Sequence, residues 1–231
     1  MTTPFQFVEW PCPAADGETR SEAALVFNRA RDTRLLVIPP LFEEANKLRR
    51  QIVEIMRRLD DAGIDSVLPH LPGCNESLAP FAAQTLAGWR AAATRASAHF
   101  SATHVLALRA GCWLAPESLP GWLYAPAKPA TVLRIMLRAR ALAAREAGRE
   151  ENANDLLAQA RTDGIELAGW SLGAALVAEL EREEFAPSAR HNVIDQADVG
   201  GQPLWLRAEN AYDAKQADAL VAILARGMTQ A

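Results

Sequence analysis

Four short runs constrain this chain more than anything else in it. They are "RLLVIPP" (34–40), "DSVLPHLPG" (65–73), "THVLALRAG" (103–111) and "GWLYAP" (121–126), each largely apolar at its centre and each ending in proline or glycine. A run that is apolar without alternation has no face to give to water, so it suits a strand buried on both faces of a parallel sheet. Parallel neighbours need a crossover, commonly a helix. The intervening segments supply it. Leu48, Ile52, Ile55, Met56 and Leu59 recur at helical spacing, while Lys47, Arg49, Arg50, Arg57 and Arg58 lie mostly off that face and Gly63 ends the helix. A second helix is predicted over about 79–98, carrying Phe81, Leu86 and Trp89.

Two further strands precede the alternation. "FQFVEW" and "AALVFN" are β-compatible and flank the turn residues "ADGE". After the sixth strand the rhythm breaks. "TVLRIMLRARALAAREAGREENANDLLAQA" is helical, and Arg134, Arg138, Arg140, Arg145 and Arg149 read as a solvated helix face. A short extended piece ("GIELAGW") and a helix ("SLGAALVAELERE") follow, then "GGQPLWLRAEN" as a strand and "DAKQADALVAILARG" as a terminal helix. The fold class is α/β, with a mainly parallel central sheet flanked by helices and a helical insertion after the sixth strand. The 231 residues fit one domain, 1–231, in which 129–180 form a cap-like insertion.

Charge and composition exclude several classes. A net charge of −4 argues against a nucleic-acid partner. No apolar run approaches the roughly 18–20 residues that span a bilayer. "MTTPFQFVEWPCP" lacks a basic region followed by an apolar one, so a cytoplasmic protein is expected. Cys12, Cys74 and Cys112 are odd in number and widely spaced, with no C-x-x-C pair. They read as free thiols, and neither a metal nor a cofactor is expected.

Two places compete for a catalytic nucleophile. Gly169-Trp170-Ser171-Leu172-Gly173 fits the G-x-S-x-G elbow of α/β-hydrolases, in which an acid and then a histidine should follow the serine. Only His191 follows Ser171, and Asp195 and Asp198 come after that histidine, in the wrong order. The plainer expectation is that Ser171 caps the helix behind it. The better elbow is Ala107-Leu108-Arg109-Ala110-Gly111 at the end of the central strand. Small residues stand two before and two after the turn, but its centre is Arg109, whose guanidinium stays protonated and cannot attack. Cys112 lies three residues on, inside the helix expected there. His70 sits at a strand end and can face the pocket. The loop Leu41, Phe42, Glu43, Glu44 follows the neighbouring strand, so its backbone N–H groups and that of Ala110 are placed for an oxyanion hole. Glu43 or Glu44 is expected within salt-bridge distance of Arg109, because an unpaired arginine at a half-buried turn is costly.

Four stretches carry a family resemblance: "VIPPLFEEANKLRRQ", "LPHLPGCNES", "ALRAG", and "LRIMLRARALAA" with "GIELAGWSLGAAL". On these the chain resembles the α/β-hydrolase-like proteins of the exosortase A system, of the kind called exosortase A system-associated hydrolase 2. In that family an Asp typically stands where this chain has His70, arginine is common at the nucleophile position, and Ala-Gly-aromatic closes a strand of the insertion. "VGGQPLWLRAEN" resembles its last strand. Between 181 and 201 the chain is shorter than the family, which has room there for another strand and for loops bearing an acid and a histidine. The resemblance implies an α/β-hydrolase-like fold and a setting in bacterial exopolysaccharide or surface export.

Two functions follow. One is a hydrolase acting on an acyl ester or thioester. The other is a catalytically degenerate binding or accessory protein on the same scaffold, with Arg109 as a receptor for a small anionic ligand.

Overall fold

The computed structural model describes residues 5–14 and 16–229. β1 (Gln6–Pro13) and β2 (Thr19–Phe27) form a hairpin. The alternation then runs β3 (Arg34–Ile38), α1 (Glu43–Asp61), β4 (Asp65–Pro69), α2 (Leu86–His99), β5 (His104–Leu108) and β6 (Gly121–Tyr124). The last sheet member is β9 (His191–Ile194), and the order across the sheet is β1-β2-β4-β3-β5-β6-β9. The β1–β2 and β2–β4 pairs are antiparallel and the other four are parallel. This is the α/β-hydrolase arrangement, with β5 central and a helical insertion directly after the sixth strand.

The apolar runs are buried on both faces, as their lack of alternation requires. Leu35 and Val37 of β3 join the core formed with Ile52, Ile55 and Leu59 of α1 and with Leu220 and Leu224 of α7 (Ala214–Thr229). Leu36 and Ile38 join the opposite core, with Trp89, Ala92, Ala93 and Ala96 of α2. Each such Leu or Ile contributes about 1.5–3 kcal/mol by leaving water. All five apolar α1 residues named from the sequence are buried. The insertion comprises α3 (Pro129–Glu146), α4 (Ala153–Asp163), the hairpin of β7 (Ile165–Leu167) and β8 (Trp170–Leu172), and α5 (Ala174–Arg182). Among the described residues, no helix is long and apolar enough to cross a membrane.

Three expectations are corrected. The short interval 181–201 does hold a strand: β9 pairs parallel with β6. Its sequence, HNVI, hides the signal because two of its four residues are exposed at the sheet edge. "GGQPLWLRAEN" is not a strand; Leu204–Leu206 form a 3-10 turn behind Pro203. The second helix begins at Leu86 rather than near 79. Pro80 heads a separate 3-10 turn, Phe81–Ala83, and the Thr85 side chain caps α2 by accepting from the Gly88 N–H at 2.9 Å.

Candidate functional site

Arg109 stands immediately past the carboxyl end of β5, between β3 and β6 in the sheet, with φ of 54°. That left-handed conformation is unusual for a residue other than glycine and is where a strand-to-helix elbow carries its central residue. The close packing behind it explains the small flanking residues. A Cβ on Gly111 would lie 2.1 Å from the Pro39 carbonyl oxygen at the end of β3. Ala107 is fully buried beneath the turn. The helix expected after the elbow is reduced to a six-residue 3-10 turn, Arg109–Leu114. It has neither the length nor the aligned dipole to favour an anion. One support for an anion receptor is therefore lost.

Among the described residues, the guanidinium is held by three hydrogen bonds and one aromatic face. Arg109 Nε donates to Glu44 Oε2 at 2.9 Å and Nη2 donates to Glu44 Oε1 at 3.1 Å, a bidentate pair. Nη1 donates to the Ala125 carbonyl at 2.7 Å. The indole of Trp205 covers the cation, with 4.1 Å from Cζ to the ring centroid. Tyr124 meets that indole edge-on and donates its own hydroxyl to Gln196. Glu44 is the partner of the two candidates, because Glu43 turns to Lys47 at 2.9 Å instead. Glu44 also lies in the first turn of α1, where a carboxylate is favoured.

The oxyanion-type loop is in place but covered. Leu41 and Phe42 are buried, and Phe42 has φ of 58°. Its ring packs edge-on against Phe81 and against Trp170 of the β7–β8 hairpin. Ala110 is buried as well.

The remaining candidates lie elsewhere. Ser171 is not a helix cap: it is exposed in the middle of β8, opposite Glu166, and Gly173 holds the cap position of α5. Both glycines of its G-x-S-x-G have structural reasons. Ala168 and Gly169 both have positive φ, as a two-residue hairpin turn requires. A Cβ on Gly173 would lie 2.2 Å from the Ala82 carbonyl oxygen. His191 is at the amino end of β9, in register with Gly121 and hence with Val105, at the opposite end of the sheet from Arg109. Its Nε2 is buried without a hydrogen bond among the described residues. Asp195 and Asp198 are spent on the reciprocal cap of the short α6 (Gln196–Val199). His70 is buried at the carboxyl end of β4 and lines a cavity of about 180 Å³ with Leu25, Ile52 and Arg49, in which Arg109 takes no part. Its Nδ1 lies 3.1 Å from Glu76 Oε2 but out of line for a hydrogen bond. Burial holds its pKa below the ordinary histidine value, against the pull of Glu76 and with the push of Arg49. Cys112 is buried, and desolvation drives its thiol far above the usual range despite the nearby Arg109. Among the described residues, no three His, Cys, Asp or Glu side chains are grouped to hold a metal ion.

Sequence reasoning missed Trp205 and the Ala125 carbonyl. Trp205 lay in a segment read as a strand, and a backbone carbonyl leaves no trace in residue type.

No protein-family model matches the sequence, and no curated protein matches it. Solved structures do. Est1E from Butyrivibrio proteoclasticus, seen with ferulic acid bound, superposes with a TM-score of 0.58 at 10% identity, over 94% of this chain and 97% of that one. A candidate hydrolase from Agrobacterium vitis S4 gives 0.47 at 19% identity, over 62% of this chain and 61% of that one. A thermophilic esterase from Thermogutta terrifontis gives 0.42 at 12%, over 58% and 53%. The chain thus spans less than two thirds of the last two proteins. At these identities the likeness is one of fold, and it is carried by the first.

Proposed function

We propose that this chain is a hydrolase-fold protein without acyl-transfer chemistry at its elbow, serving as a binding or accessory component. Its setting would be the bacterial exopolysaccharide or surface-export system that the sequence resemblance implies, on the cytoplasmic side. In this reading 1–231 is one domain and 129–180 its cap, laid over the elbow loop through Trp170.

The observation that carries the reading is the bidentate pair of Arg109 with Glu44. Hydrolysis of an ester or thioester by the elbow mechanism needs a nucleophile that a base can deprotonate, and donors left free for the developing oxyanion. A guanidinium offers no attacking lone pair. Here it is also neutralised by Glu44 and covered by Trp205, which leaves little room for an external carboxylate or phosphate. No histidine follows the elbow at its own end of the sheet among the described residues, since His191 stands at the other. An accessory role uses the scaffold without that machinery.

Incubation of the full chain with a fluorophosphonate probe and with short-chain nitrophenyl esters tests this. Neither labelling nor turnover above buffer is expected. Stoichiometric labelling of Ser171, or turnover abolished by Ser171→Ala, would restore the hydrolase reading.

A further inference from the structure

The outward face of α3 is at odds with the rest of the protein. The chain carries a net charge of −4, yet α3 has four arginines against one glutamate, Glu146. Arg140 is taken up by Glu151 at 2.9 Å and by the Glu166 carbonyl. Arg134, Arg138 and Arg145 are exposed and make no ion pair or hydrogen bond among the described residues. At 100° per residue these three fall within about 40° of one another around the helix. Beside them, at about 80–100°, stand Leu142 and Ile135, which are 58% and 59% exposed. The inner face is separately satisfied, with Leu133, Leu137 and Ala144 buried in the core. A basic stripe therefore runs alongside two unburied aliphatic side chains about 10 Å apart along one helix.

We infer that this face of α3 docks on the surface of an anionic lipid bilayer. Charge complementarity is one part of the case: three unpaired guanidiniums in a row meet phosphate-bearing headgroups well. The aliphatic pair is the other. A nucleic acid or an acidic peptide would use the arginines but gain little from Ile135 and Leu142. An interfacial helix uses both, with aliphatic groups seated at the headgroup–acyl boundary and basic groups spread beside them. The arginine stems also tolerate that boundary, their methylenes lying along apolar surface with the charged ends in water. The contact is peripheral, because α3 is neither long nor apolar enough to span.

Co-sedimentation of the full chain tests the inference, using phosphatidylcholine vesicles with and without about one third phosphatidylglycerol. Binding is expected to the mixed vesicles, with little to phosphatidylcholine alone, and salt should weaken it. The triple change Arg134→Glu, Arg138→Glu, Arg145→Glu should lower partitioning by on the order of 100-fold or more, at about fivefold per arginine removed. Ile135→Ser with Leu142→Ser should lower it roughly tenfold at unchanged charge. Ile135→Trp gives an independent readout, since its emission should shift to the blue on the mixed vesicles. Failure of the parent to bind, or undiminished binding by the arginine variant, would overturn the inference. So would binding indifferent to the aliphatic pair with an unmoved Ile135→Trp emission, or displacement from the vesicles by a duplex oligonucleotide; either would mark a contact with polyanions in general.

Discussion

Arg109→Gly isolates what the guanidinium does, because glycine accepts a φ of 54° at no steric cost. That relief is worth about 1 kcal/mol in favour of the variant. Three losses oppose it. Breaking a buried ion pair by removing one partner costs about 3–5 kcal/mol, while an exposed pair is worth about 0–1 kcal/mol. The Arg109 and Glu44 side chains are 16% and 26% exposed, so the abandoned carboxylate can recruit water and the cost falls between, at about 1–2 kcal/mol. The Ala125 carbonyl loses its donor, at about 1 kcal/mol. Trp205 loses the cation from its face, at about 1 kcal/mol. The net expectation is a loss of about 2–3 kcal/mol, or about 4–12 °C in Tm for a chain of this size. Urea unfolding of Arg109→Gly, Glu44→Gln and the double variant would read it directly, with a coupling of about 1–2 kcal/mol in the cycle. If Arg109→Gly proves as stable as the parent or more so, the pair is not what holds Arg109 in place. The elbow would then be keeping a strained cation at a net cost, as sites kept for a ligand do, and the self-filled reading would fall.

Gly111→Ala should be far more damaging than its size suggests, costing about 3 kcal/mol or more, since the new methyl meets the Pro39 carbonyl at 2.1 Å; a soluble variant with parental unfolding would contradict the packing behind the elbow. Ser171→Ala should stay within about 0.5 kcal/mol of the parent in the same assay, the side chain being exposed and unbonded in β8 among the described residues; a larger loss would contradict that placement. His70 is held neutral by burial, so below the ordinary histidine value of 6.5 the unfolded chain takes up a proton before the folded one, and stability should decline as pH falls through that region. His70→Gln should flatten this acid limb, and an unchanged slope would remove His70 from the account. Cys12, Cys74 and Cys112 all have thiols raised by burial, the first two to about 12, so iodoacetamide should label none of them until the chain is unfolded; mass spectrometry of the native protein checks this.

The parts of the fold legible in the sequence are those whose physics is local or periodic. Strands β3 to β6 announce themselves because burial on both faces leaves each with an apolar run that does not alternate. Helix α1 does so because its five apolar positions fall on one stripe. The pairing of Arg109 with Glu44 was foreseeable too, since a turn at the end of one strand must lie beside the loop that follows its neighbour. What stayed hidden depends on partners distant in sequence. HNVI becomes a strand only because β6 offers a free edge, and half of it faces water, so it has no apolar signature. Trp205 is a site residue only because its 3-10 turn is carried across the top of β6. Ser171 fits the G-x-S-x-G pattern because glycines needed for a hairpin turn and for contact with Ala82 happen to stand where an elbow would put them, and it fails as a helix cap because the hairpin holds it in β8.

The elbow without its nucleophile has a coherent structural use. Its geometry is supported from below: Gly111 packs on the Pro39 carbonyl, an approach that a side chain at 111 would block. A small hydroxyl there would leave the top of the sheet open. An arginine instead reaches three segments at once, α1 through Glu44, the end of β6 through the Ala125 carbonyl, and the 3-10 turn through Trp205. The last of these needs such an anchor. Among the described residues β9 is the edge of the sheet, and the chain between α6 and α7 has no further strand to pair with. Trp205 docking on Arg109 supplies the tie that strand pairing would otherwise give. Arginine at the elbow therefore accounts for how the segment beyond β9 is fastened.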